Sequence, residues 1–180
     1  MTAVADVGGQ TRRGVAVRTM ATCAALGTAI WLSTQLLCAP ALHHAALLIH
    51  LASLVLGFGA VLAVDYFAIA WVLRRTSLRE MLTVADRLQL PIWLGVIGLV
   101  ASGVLLEPNI ANHTTQTKMA LVVVLTLNGL QASAFTDRVA ARGGILDRAL
   151  ITRGALTLLI SQACWWGALW IGFWNTTNRA

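Results

Sequence analysis

Between Leu42 and Leu73 the chain runs almost without interruption through apolar residues, and Asp65 is the only carboxylate in the run. That length exceeds the ~20 apolar residues a helix needs to cross the hydrocarbon core of a bilayer. Part of it must therefore tilt or project. Four more apolar stretches accompany it. One runs from about Thr19 to Leu37 and is closed by Cys38-Ala39-Pro40, because proline disfavours helix in the residue before it. The next spans Leu88 to Leu106, with Pro91 expected in its first turn and Glu107-Pro108-Asn109 as its end. The last two run from Thr117 to Phe135 and from Ala149 to Trp174.

Backbone polar groups inside lipid must be satisfied within their own segment, so each stretch is expected to be helical. The expected fold class is all-α: a polytopic membrane bundle of five transmembrane helices. Residues 1–15 read as a cytoplasmic tail and 16–176 as a single transmembrane domain. Hydrophobic residues make up 58% of the chain and charged residues 11%, with a mean hydropathy of +0.76. A soluble domain carries roughly a quarter charged residues, and 180 residues leave no room for one beside five crossings.

The basic residues fall on one side of this plan. Arg12, Arg13 and Arg18 lie in the tail, Arg74, Arg75, Arg79 and Arg87 around the second connection, and Arg138, Arg142, Arg148 and Arg153 around the fourth. Lys118 and Arg179 fall on the other. Lysine and arginine in excess mark the cytoplasmic side, which places the N-terminus inside, the C-terminus outside and the chain in the inner (plasma) membrane. The net charge of +6 is dealt out between hydrophobic segments and forms no lipid-free basic surface, so nucleic acid is not an expected partner. The lipid bilayer is. Glycines 57, 59, 95, 98 and 103 let helices approach closely, as in chains that pack against a second copy or a partner subunit. Trp165, Trp166, Trp170 and Trp174 read as an interfacial belt at the outer end of the last helix.

All four histidines lie on the outer side. His43 and His44 open the second helix, His113 lies in the third connection, and His50 is roughly 9 Å deeper than His44 at 1.5 Å per residue. An imidazole at that depth needs a partner, and an ionisable residue there is a functional candidate. His43 and His50 share a face but stand about 10.5 Å apart along the axis, too far for one metal ion without another helix. Cys38, His43, His44 and Met119 offer thiolate, imidazole and thioether ligands suited to cuprous copper. His50 with His113 and Lys118 would instead suit haem b, whose iron takes imidazole. His43 and His44 read equally as a solvated cap, and Lys118 as a side chain reaching back to water. Asp65 is costly to bury alone, and a structural ion pair with Arg18 or Arg87 is the first expectation for it. Asn128 and Gln162 read as hydrogen-bond partners between helices.

His50-Leu51-Ala52-Ser53-Leu54-Val55-Leu56-Gly57-Phe58-Gly59-Ala60-Val61-Leu62 resembles the histidine-led, glycine- and aromatic-rich helix of the copper resistance protein D family. Thr117-Lys118-Met119-Ala120-Leu121-Val122-Val123-Val124-Leu125, with Asn128 beyond, is similar to that family's lysine-led helix. The membrane-bound protoporphyrinogen oxidase family shares the plan of a histidine on one helix and a lysine two helices later. Gln116 stands where the oxidase pattern has a histidine. The resemblance covers residues 42–135 and implies that His50 and Lys118 inherit a site for copper passage or haem-linked redox chemistry. Three functions follow as expectations: a haem b redox protein, a copper permease or copper-binding protein, and a structural subunit of a membrane complex.

Overall fold

The computed structural model describes residues 2–36, 39–141 and 147–177. Among the described residues there are five helices and no strand: α1 (Thr2–Ser33), α2 (Pro40–Val72), α3 (Leu78–Leu105), α4 (His113–Ala141) and α5 (Arg148–Thr177). Each contains a segment long and apolar enough to cross a membrane, that of α1 being Gly14–Ser33. The protein is thus an all-helical, multi-pass membrane protein. Two antiparallel hairpins make the bundle. Helix α2 packs along α3, α4 packs along α5, and α1 lies against α3 and α4.

Apolar length marks where a chain crosses lipid, whereas a helix begins and ends where its backbone is capped, so every helix begins before its expected span, and α1 ends at Ser33, before the expected end at residue 37. Helix α1 begins at Thr2, and the polar segment expected as a tail continues the helix. Helix α3 begins ten residues before Leu88, because the Ser77 hydroxyl accepts the Glu80 amide at 3.1 Å and the Thr76 hydroxyl donates to the Glu80 carboxylate at 2.5 Å. Ser77 and Glu80 have the spacing of a capping box. Pro91 consequently sits inside α3 instead of in its first turn, where it removes one backbone hydrogen bond. Helix α2 has 33 residues, about 50 Å at 1.5 Å per residue. It ends in a Schellman motif: Arg74 N–H donates to Trp71 O at 2.9 Å and Arg75 N–H to Ala70 O at 2.8 Å. Arg74, with φ of 58°, holds the left-handed position usually given to glycine.

The α2–α3 contact follows from small residues at matched spacing. His50, Ser53 and Gly57 recur at intervals of three and four along α2; Gly95, Gly98 and Ser102 do the same along α3. Running antiparallel, the two rows meet as Gly57 on Gly95, Ser53 on Gly98 and His50 on Ser102. At the first pair the backbones touch. A Cβ on Gly95 would fall 2.4 Å from the Gly57 Cα, and one on Gly98 would fall 2.2 Å from the Ser53 Oγ. Inside lipid there is no hydrophobic gain in joining apolar helices, so close van der Waals contact must hold them.

Across the hairpins, Phe58 of α2 stacks on Trp165 of α5 (ring centroids 5.4 Å apart) and meets Trp166 edge-on at 5.1 Å. Trp165 is 2% exposed and belongs to a core with Phe58, Val61, Val96, Leu125 and Cys164. It is therefore not part of an interfacial belt. Consecutive helical residues point about 100° apart, so Trp165 faces inward while Trp166, Trp170 and Trp174 stay exposed.

Replacing Gly95 by alanine should destabilise the detergent-solubilised protein by about 1–3 kcal/mol, the usual cost of overpacking. Gly59→Ala, with nothing within 4 Å of the added carbon, should leave the thermal unfolding midpoint unchanged. Equal midpoints for the two variants would show that α2 and α3 do not meet at Gly95.

Candidate functional site

The His50 imidazole lies half-buried between α2 and α3, and its Nδ1 is 2.9 Å from the Ser102 Oγ. The same hydroxyl lies 2.5 Å from the Gly98 carbonyl and 3.3 Å from that of Leu99. A hydroxyl has one proton to give. Ser102 donates it to the Gly98 carbonyl, so toward His50 it must accept, and His50 donates from Nδ1–H. In a neutral imidazole this puts the lone pair on Nε2. A helix–helix hydrogen bond thus selects the tautomer. Gly103 lies beside the ring: a Cβ there would stand 3.8 Å from the His50 Cε1, an ordinary packing distance. Ala46, one turn before His50, is 1% exposed and seals the helix contact above it. From α4, the half-buried Lys118 places its positive charge within electrostatic reach of the imidazole.

The other sequence candidates stand apart from this pair. His43 and His44 are exposed, with ring centroids 6.5 Å apart and edge to face. The His44 Nδ1 is 2.8 Å from the Pro40 carbonyl, within the first turn of its own helix. His113 is the exposed first residue of α4, and Met119 is half-buried one residue beyond Lys118. Cys38 lies outside the described residues. Among the described residues no three His, Cys, Asp or Glu side chains gather in a way that would hold a metal ion.

A second polar group lies in the other half of the bundle, toward the arginine-rich end. Here the expectation of an ion pair is corrected. The Asp65 carboxylate accepts a hydrogen bond from the Gln162 Nε2 of α5, and the Gln162 Oε1 accepts from the Trp166 Nε1 at 2.9 Å. Arg18 and Arg87 are both exposed. Drawing a guanidinium down to Asp65 would strip water from two ions, whereas an amide brings no charge to desolvate. The Asp65 Oδ1 is buried without a hydrogen-bond partner among the described residues. Asn128 donates from Nδ2 to the Thr157 carbonyl at 2.9 Å, tying α4 to α5, and Gln89 bonds Ser133, tying α3 to α4.

Sequence reasoning missed Ser102, Gln89 and Ser133. For Ser102 a signal existed: it completes the Gly95-Gly98 row at helical spacing and lies opposite His50 once the helices run antiparallel. Gln89 and Ser133 have no such pattern around them. Compared with protein-family models, with curated proteins and with solved structures, the chain matches none.

Gln162→Leu leaves the Asp65 carboxylate without its donor, and should lower stability by about 1–3 kcal/mol, the cost of stranding a buried polar group. The double variant Asp65→Leu with Gln162→Leu should recover most of that loss. Unfolding in a graded mixture of mild and denaturing detergent checks both, and a double variant worse than the single one would refute the pairing.

Proposed function

We propose that this chain is a membrane redox protein that binds haem b through the Nε2 of His50. In this reading the N-terminus is cytoplasmic, the protein spans the plasma membrane, and His50 lies toward the outer leaflet, an orientation that the distribution of arginine favours. The observation that carries it is the Ser102 hydroxyl holding Nδ1–H. Imidazoles that ligate metals characteristically donate their other N–H to a neighbouring oxygen, which fixes the ring and raises its basicity.

Two features support the group. One protein imidazole would be enough to hold a haem iron. Lys118 supplies a cation for a propionate. When bound, the haem would supply one-electron chemistry. The chain's own contribution is to orient the imidazole, hold its proton on Nδ1 and place a positive charge at the rim of the site.

Copper is the second reading and has less support. A cuprous ion needs two to four soft ligands at one point. Of its candidates, His43 and His44 are exposed, His44 is bonded to its own helix, and no three His, Cys, Asp or Glu side chains gather among the described residues. A structural subunit remains compatible with the small-residue faces, and there the His50–Ser102 hydrogen bond would serve to tie α2 to α3.

The test is an absorption spectrum of protein purified in mild detergent, oxidised and then reduced with dithionite, with elemental analysis of the same sample. A Soret band that shifts on reduction is expected. It should disappear in His50→Ala, and Ser102→Ala should retain it with a raised midpoint potential, because the imidazole becomes less basic, or with lowered occupancy. Protein that stays colourless after haem is added back would refute the haem reading, and copper bound in stoichiometric amount would put the second reading in its place.

A further inference from the structure

Toward the arginine-rich end the two hairpins part around a partly open cavity of about 390 Å³, within the range of small-molecule pockets, roughly 300–1,000 Å³. Its walls are largely apolar, and four of the residues lining it are aromatic: Trp71, Trp93, Phe135 and Trp165. Two lining residues carry polar atoms that have no hydrogen-bond partner among the described residues. One is an acceptor, the Asp65 Oδ1; the other is a donor, the Trp165 Nε1–H. A stranded polar atom in low dielectric is rare and unfavourable, and here two of opposite kind belong to residues that line one apolar space.

We propose that this cavity is a binding site for an apolar aromatic ring that carries a hydroxyl group, the chemistry of a phenol or quinol dissolved in the membrane. The hydroxyl hydrogen bonds the Asp65 carboxyl, its oxygen or a second ring oxygen accepts from Trp165, and the ring packs among the aromatic side chains. The bond from Gln162 holds Asp65 at the wall, and the last torsion of a carboxylate is soft enough to turn the second oxygen inward. Other occupants answer fewer of these features. An acyl chain fills apolar space and leaves both polar atoms stranded. A lipophilic ammonium answers the carboxyl and leaves the indole N–H. Water satisfies both, but an apolar chamber of this size gives it too few partners. The proposal is independent of the haem reading, since it uses other residues in the opposite half of the bundle.

Binding of naphthol to the full chain in detergent, followed by quenching of tryptophan fluorescence and by equilibrium dialysis, tests it. Naphthalene and naphthylmethylammonium are the comparison ligands. Naphthol should bind about tenfold more tightly than naphthalene, the equivalent of one good hydrogen bond. Trp165→Phe, which keeps a ring to stack on Phe58, and Asp65→Leu should each erase that preference. Ala132→Phe, which fills the cavity from α4 without touching either polar residue, should abolish binding of both while the protein still unfolds cooperatively. Equal affinity for naphthol and naphthalene would overturn the proposal in favour of a slot for acyl chains. A preference for the ammonium would overturn it in favour of a cation site at the carboxyl, and naphthol binding that survives Ala132→Phe would place the ligand elsewhere.

Discussion

The backbone contact between Gly57 and Gly95 is the constraint on which the remaining structure depends. Two glycines bring α2 and α3 within touching distance, and that proximity sets the register of everything along the same seam. One turn toward the histidine end, Ser53 settles against Gly98; one turn further, His50 reaches Ser102. A side chain at either glycine would push the helices apart, and a hydrogen bond of 2.9 Å between imidazole and hydroxyl has no slack to absorb the change. Packing at the centre of the hairpin is therefore what gives the imidazole its tautomer.

The second hairpin is held to the first by side chains. The Phe58 ring is caught between Trp165 and Trp166, the Asp65 carboxylate is bound by Gln162, and Gln89 is bound to Ser133. These contacts reach across a gap that the backbones do not close. Where aromatic rings fill the gap, the core is solid. Toward the arginine-rich end they stop filling it, and the chamber bordered by Asp65 and Trp165 results.

Five apolar runs were legible in the sequence because lipid acts on every residue of a crossing, so the signal is summed over about 20 positions. What depends on single groups was less legible. The start of α3 is decided by the Ser77 hydroxyl in a polar connection, where hydropathy carries no information. Trp165 was grouped with its three tryptophan neighbours by composition, while its burial is decided by a 100° rotation relative to Trp166. For Asp65 the sequence pointed to the nearest cations; the partner is an amide 97 residues away on another helix. His50 stood out by its depth, yet the hydroxyl that orients it could be named only once the antiparallel register of α2 and α3 was known.

The division into two hairpins also bears on how the chain is made. Each hairpin completes its densest packing between neighbours in sequence, α2 with α3 and α4 with α5. Such a unit can leave the insertion machinery with its own seam already closed, before the next pair is synthesised. Only the side-chain contacts between hairpins await the second unit. The connection from Leu106 to Asn112 joins two prefabricated parts, and a chain severed there and expressed as two fragments should reassemble in the membrane into the same bundle.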